Sequence, residues 1–441
     1  MSILARITQN PELRQRILLT LGLLAVYRFG IFVPSPGVDR NVMQEVVSGG
    51  QGFLALFNLL SGGALEQMSI FALGIMPYIS ASIIIQMMGM MVPALERLKK
   101  EGEQGRRKIT AYTRYLTIGL CLVQGVVMTR MLENFNDQNP GLIISSGFGF
   151  TVVTVIALTT GTAFLMWLGE QITERGIGNG ISLLITAGIV AGLPGGTMML
   201  IQRVQRGELQ LLSALLLAGT MLAVVYAIVY VETAQRRIPV QYANRAVGQT
   251  VFAGEASYLP LKINITGVIP PIFASAMLMF PASVAGYFPE STLAQTMQSA
   301  MNPLDWRYNV IYVALIVFFC FFYTAIVFNP VDIADGMKRS GSFVPGIRPG
   351  KATAEYIDRV VSLLTAGGAV YLAVVCVSPV VIMAAFNVDF FYGGTSLLIC
   401  VSIGLDTVRQ IEGYLITQRY DDVAAGASGT KLRERVKLPS A

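Results

Sequence analysis

Residues 49–69 read GGQGFLALFNLLSGGALEQMS, and residues 69–92 read SIFALGIMPYISASIIIQMMGMMV. The second stretch has 24 residues and no charge, long enough to cross a hydrocarbon core of about 30 Å as a helix. The first differs. Gly49–Leu65 is also uncharged, but five glycines, together with Asn58 and Ser61, leave it too short and too broken to span. Irregular backbone at membrane depth is tolerated only inside protein or beside a water-filled cavity. Two readings follow: a loop lying on the extracytoplasmic surface, or a re-entrant segment that dips into a cavity and fills it.

The rest of the chain supports a membrane setting. Of 441 residues, 54% are apolar and 13% charged, against about 25% charged in soluble domains. Once the spans are removed, no soluble domain of ordinary size remains. The chain has no histidine, which excludes Ser-His-Asp hydrolysis, Cys-His proteolysis, HExxH zinc centres and histidine proton relays. Cys121, Cys320, Cys376 and Cys400 stand singly in apolar runs, without disulfide or metal-ligand spacing, and read as buried, reduced fillers. No cofactor is expected. The first apolar run, Ile17–Pro34, continues into SPGVD without a small-residue cleavage site, so it reads as a retained span.

Residues 1–16 are short and basic, with Ile3, Leu4 and Ile7 for an interfacial face. Ten candidate spans follow, at 17–34, 69–92, 111–131, 150–169, 180–200, 211–231, 264–288, 309–331, 360–382 and 391–408. An even number places both termini on one side. With the N-terminus inside, 25 of the 32 Lys and Arg fall in inner segments, five in outer ones and two, Arg28 and Arg114, within spans. That bias predicts both ends in the cytoplasm. Two inner loops, 232–263 and 332–359, are long and basic, and the second carries PGIRPG as a turn-rich tip. They could be a topology signal drawn to anionic lipid. Their length favours docking of a cytosolic partner, because connections between spans need only a few residues.

Chemistry is sparse. There is no Walker loop, and Gly176, Gly178 and Gly180 in GIGNG follow no strand and read as a cytosolic turn. An ion-coupled transporter would want an acidic residue at mid-span, and none is found. An intramembrane protease would want an Asp pair or a Ser-His dyad, and the chain offers neither. Arg28, Arg114 and Arg130 lie toward span ends, where they can snorkel. Ile75, Ile79 and Ile83 recur at helical spacing, as do Ile181 and Ile185; by spacing alone such stripes are ordinary packing. Pro77, Pro270, Pro271 and Pro281 are expected to interrupt the second and seventh spans.

FNLLSGGAL with SIFALGIMPYISASIIIQ closely resembles the plug and second transmembrane helix of the SecY family of protein-translocation channels. EGEQGRRKITAYTRY (101–115), FLMWLGEQITERGIGNGIS (164–182), PLKIN followed by TGVIPPIFAS (260–275), FFYTAIVFNPVDIADGMKRSGSFVPGIRPG (321–350) and FYGGTSLLI (391–399) fit the same bacterial family. The resemblance covers nearly the whole chain. It implies an all-α membrane protein of ten transmembrane helices, in two inverted pseudo-symmetric halves, 1–205 and 206–441, with a re-entrant plug near 53–68. It implies a pore ring of Ile75, Ile79, Ile181, Ile185, Ile272 and Ile399, and a plug comprising Phe57, Asn58, Leu59, Leu60, Ser61, Gly62, Gly63 and Ala64. A lateral gate would include Ile83, Gln86, Pro270, Pro271 and Ser275, although Pro271 departs from the small residue expected there. Motor or ribosome docking would fall to Arg236, Arg237, Lys338, Arg339 and Arg348. The implied partners are the SecE and SecG subunits, the SecA ATPase, ribosomes carrying nascent chains, unfolded preproteins and the lipid bilayer of the cell inner membrane. No covalent reaction is implied.

Overall fold

The computed structural model describes residues 10–49, 58, 61–138, 140–144, 147–208, 210–242, 245–247, 250–252, 256–285, 305–386 and 394–436. A helix coincides with each of the ten expected spans: α1 (Pro11–Gly30), α3 (Met76–Met91), α5 (Glu103–Gln138), α6 (Phe148–Arg175), α7 (Gly180–Gln205), α8 (Leu211–Thr233), α9 (Ile269–Ala285), α10 (Trp306–Val327), α12 (Lys351–Phe386) and α13 (Gly394–Val436). Among the described residues, three shorter helices join them: α2 (Arg40–Gly49), α4 (Pro93–Lys100) and α11 (Pro330–Arg339). Arg16, near the start of α1, donates to the Tyr414 hydroxyl of α13 at 3.0 Å, so the first and last helices meet at one end of the molecule, as an even number of spans requires.

Several helix boundaries follow from local chemistry. Asn179, Asp305 and Asn329 each accept from a backbone N–H of the first turn of α7, α10 and α11, which satisfies a donor the helix leaves open. Proline mostly starts helices here. Pro77, Pro93 and Pro330 stand at the first positions of α3, α4 and α11, and Pro270 and Pro271 in the first turn of α9. A residue in that turn has no intrahelical acceptor for its N–H, so its absence costs nothing there. Of the four prolines expected to interrupt spans, Pro77, Pro270 and Pro271 thus mark where a helix begins within its apolar run, and Pro281 lies inside its helix. The sharp bend falls elsewhere, with α3 and α4 meeting at 102°.

The second expected span is also shorter than its apolar run. Ser69–Ile75 is turn rather than helix, and α3 has 16 residues. Gly74, at φ +59°, ends the turns with a left-handed residue that glycine takes without strain. These turns are pinned inside protein. Ser35 N–H donates to the Met68 carbonyl at 2.7 Å, Ile70 N–H to that of Val33 at 3.1 Å, and the Ser69 hydroxyl to that of Gly30 at 3.0 Å.

One core threads between α1, α3, α6, α7, α8, α9, α10, α12 and α13. A second lies where α2, Leu65–Leu73, α5 and α6 meet, around Met43, Leu132, Leu142 and Leu158. A third packs strands against the start of α12. Loop 232–263 forms an antiparallel hairpin, β1 (Gln235–Tyr242) with β4 (Ala256–Lys262), in the register Gln235↔Lys262 to Gln241↔Ala256. Between them, β2 (Arg245–Val247) pairs with β3 (Thr250–Phe252). From the other basic loop, β5 (Ser342–Phe343) joins the free edge of β1, giving the order β4-β1-β5. Ile238 and Leu261 pack there against Val344, Ile357, Val360 and Val361. The helical fold thus carries a small sheet that ties its two basic loops together, and most of 332–359, expected as loop, is α11 and the start of α12.

Candidate functional site

Ile75, Ile79, Ile185, Ile272 and Ile399 line a single small cavity with Met76, Ser275 and Thr395. It has room for about one water. The five come from four separate elements. Ile75 caps α3 and Ile79 sits one turn inside it, Ile185 is on α7, Ile272 on α9 and Ile399 on α13. Four are buried and Ile272 is half-buried. Ile181, one turn before Ile185, packs instead on α6, where a Cβ built at Gly169 would lie 3.0 Å from it. The ring expected of six residues is five around the cavity with Ile181 adjoining. Pro271 does not disturb it, because the first turn of α9 absorbs the proline and Ile272 still reaches the cavity.

Of the expected plug, Phe57, Leu59 and Leu60 lie outside the described residues. Asn58 and Ser61–Ala64 are described. Asn58 folds the segment on itself. Its carbonyl accepts from Gly63 N–H at 2.9 Å and the Ser61 hydroxyl at 3.0 Å, while its amide exchanges bonds with Glu66 at 3.2 and 3.0 Å. Gly62 and Gly63 are left-handed, at φ +70° and +86°. Ala64 is fully buried against the large core. Of the two readings of this stretch, the described residues fit the inward one: they pack within the protein.

The expected gate helices α3 and α9 pack side by side. Ile83 and Ser275 are buried, as are Pro270 and Pro271, and Ser275 donates to the Ile272 carbonyl at 2.9 Å. Gln86 is exposed and donates to the Ser82 hydroxyl at 3.1 Å.

Arg236 and Arg237 are exposed on β1, and Lys338 and Arg339 on the last turn of α11, just before β5. The pairing of β5 with β1 therefore joins the two loops that carry these exposed cations. Arg348 is exposed on a turn closed by Ile347 N–H to the Val344 carbonyl at 3.1 Å and flanked by left-handed Gly346 and Gly350.

Three polar arrangements escaped the sequence reading. Arg114 forms a two-pronged ion pair with Glu170, at 2.8 and 2.7 Å, joining α5 to α6. Arg28 turns inward and donates to the Gly62 carbonyl at 3.1 Å. At the end of α8, buried Glu232 accepts from Asn264 at 2.7 Å, and Asn264 also accepts from Thr266 and Gly267 and donates to the Gly267 carbonyl. A lone Arg in an otherwise uncharged run was the available signal for the first two; the third joins residues 32 apart in sequence.

The SecY family model matches residues 69–408. The protein translocase subunit SecY of Vibrio cholerae is 49% identical over 424 residues, covering 95% of each chain. The fold resembles a solved SecY structure described as showing that the plug domain stabilises the closed state of the translocation channel and maintains a membrane seal. That likeness has a TM-score of 0.63 at 18% identity, over 93% of this chain and 96% of the other. It also resembles Sec61 in a canine ribosome–channel complex, with a TM-score of 0.60 at 17% identity, over 93% and 96%.

Proposed function

The chain belongs to the SecY family of protein-translocation channels, and from that premise we propose how its parts divide the work. The chain is a multi-pass membrane protein that passes unfolded polypeptides across the bilayer, with Ile75, Ile79, Ile185, Ile272 and Ile399 as the constriction and Ile181 adjoining it. One observation supports this above the rest: five isoleucines from distant parts of the chain, in both 1–205 and 206–441, converge on a cavity no larger than a water. An apolar constriction of that size excludes water and ions at rest by dewetting. Branched aliphatic side chains offer a passing chain no hydrogen bond, so they close around it without holding it.

Residues 57–64 are the plug. The contact between α3 and α9, with Ile83, Gln86, Pro270, Pro271 and Ser275, is the lateral gate through which signal sequences and membrane segments leave sideways. Arg236, Arg237, Lys338, Arg339 and Arg348 receive cytosolic partners, the SecA ATPase or a ribosome. A structural relative is seen bound to a ribosome, which suits that role. SecE and SecG complete the channel in the cell inner membrane, with both termini cytoplasmic. The chain itself performs no covalent step; the motor or the ribosome supplies the energy. The test is import of a secretory precursor into proteoliposomes holding the purified channel complex, with and without SecA and ATP. Import dependent on both is expected. Equal import without the channel chain would overturn the assignment.

A further inference from the structure

The plug segment is held by residues that do not line the isoleucine cavity. Arg28 and Tyr27 are consecutive on α1, and both address the backbone of 61–62. The Arg28 guanidinium donates to the Gly62 carbonyl at 3.1 Å, and the buried Tyr27 hydroxyl donates to the Ser61 carbonyl at 3.4 Å. Beside the Tyr27 hydroxyl, Gly62 also lies against Gly188 of α7. A Cβ at Gly62 would stand 2.7 Å from the Gly188 Cα, and one at Gly188 would stand 3.1 Å from both the Gly62 Cα and the Tyr27 hydroxyl. The left-handed turn at Gly62 and Gly63 exposes the carbonyls of 61 and 62 to α1. A charged donor bonded to a carbonyl in a partly buried setting is among the stronger hydrogen bonds.

We infer that Arg28 and Gly188 form a latch that fixes the plug segment in its closed position: Arg28 by bonding the Gly62 carbonyl, Gly188 by leaving room for backbone-to-backbone contact. They are positioning residues and do not line the constriction. The inference rests on the plug reading above. Every latch contact comes from the N-terminal half, from α1 and α7. Separation of α3 from α9 therefore leaves the latch intact, and release of the plug requires a separate event that removes the Gly62 carbonyl from Arg28.

The test uses the full-length chain in its native subunit complex, with the four native cysteines replaced and a single cysteine placed at Ala64, which is fully buried. Labelling of Ala64→Cys by a membrane-impermeant thiol reagent reports plug position without requiring transport. Arg28→Gln removes the charge, Arg28→Lys keeps a charged donor, and Gly188→Val fills the glycine contact without touching a charge. Arg28→Gln is expected to raise the labelling rate about tenfold or more, since a bond to a charged donor shifts such an equilibrium by at least that factor, and Gly188→Val is expected to raise it because its side chain crowds the Gly62 Cα and the Tyr27 hydroxyl. Arg28→Lys is expected to restore most of the protection, which a general folding defect would not. If Arg28→Gln does not accumulate, Gly188→Val and Arg28→Lys carry the comparison. Parental labelling in the variants, in a channel that conducts ions once 57–64 is deleted, would overturn the latch and leave the plug reading standing. A deletion as silent as the parent would remove the plug reading and the latch with it.

Discussion

Asn264 ties the loop between β4 and α9 to the end of α8, and its loss should be costly. It sits between β4 and α9, is 3% exposed, and makes four hydrogen bonds: to Glu232 at 2.7 Å, to the Gly267 carbonyl at 3.1 Å, from Thr266 at 3.1 Å and from Gly267 N–H at 3.1 Å. Glu232, 5% exposed, has its carboxylate oxygen on this amide, while Arg409 reaches only its backbone carbonyl, at 3.0 Å. Asn264→Leu keeps the volume and removes every one of these bonds. A bond to a charged group contributes about 1.5–3 kcal/mol, and each neutral one about 1 kcal/mol where water does not replace it. A loss of about 3 kcal/mol is a conservative total, because it leaves part of the neutral contribution uncounted. Multi-span proteins inactivate irreversibly on heating, so the suitable quantity is a rate. If the loss falls on the unfolding barrier, thermal inactivation of the purified complex in detergent at fixed temperature should be about 100-fold faster, at about 1.4 kcal/mol per decade. A half-life within about twofold of the parent would show that Glu232 is satisfied without Asn264 and that the linkage is not structural.

Other expectations can be checked separately. Single cysteines at Lys100 and Arg348 should be labelled by an impermeant reagent from the cytoplasmic side, and at Asp39 and Arg307 from the outside; labelling of all four from one side would reject the ten-span topology. Arg348→Glu should abolish SecA-driven import while leaving membrane insertion and SecE binding intact, since it reverses an exposed charge on a rigid turn; normal import at physiological salt would refute its docking role. Gly161 packs under the turn segment, where an added Cβ would collide with the Ile70 carbonyl. Gly161→Val should therefore destabilise by about 1–3 kcal/mol through overpacking, read as faster thermal inactivation; parental stability would show that α6 and the turn are not in close contact.

Much of this was legible in the sequence because the bilayer imposes one rule on every span: long uncharged runs became helices, and ten were readable. What was not legible depended on contacts between distant residues. The run at 69–92 satisfied the length criterion, yet its first seven residues are turns, because Ser69 and Ile70 find backbone partners in Gly30 and Val33 rather than in a helix. The strand alternation of Arg237-Ile238-Pro239-Val240-Gln241, with Ile238 and Val240 inward, was visible but lay inside a stretch expected to be loop. The isoleucine stripes were visible as stripes only. Nothing in a spacing of four says that α3, α7, α9 and α13 share one cavity, or that Ile181 turns toward α6 while Ile185 does not. Arg28 was read as an end-of-span cation because its acceptor, a carbonyl in the Gly62–Gly63 turn, exists only once that turn has folded inward.

The central claim is that the isoleucines close the channel. Each dispersion contact between their branched side chains contributes only about 0.1–0.2 kcal/mol, so the ring can part for a polypeptide and re-form behind it. The most direct test is single-channel recording from the purified complex in planar bilayers, comparing the parent with Ile79→Gly, Ile185→Gly and Ile272→Gly combined. The triple variant should conduct ions at rest while precursor import continues, and deletion of 57–64 alone should leak less, because neighbouring loop residues partly refill the space. A triple-glycine channel as silent as the parent would mean that these side chains are ordinary packing and that the seal lies elsewhere.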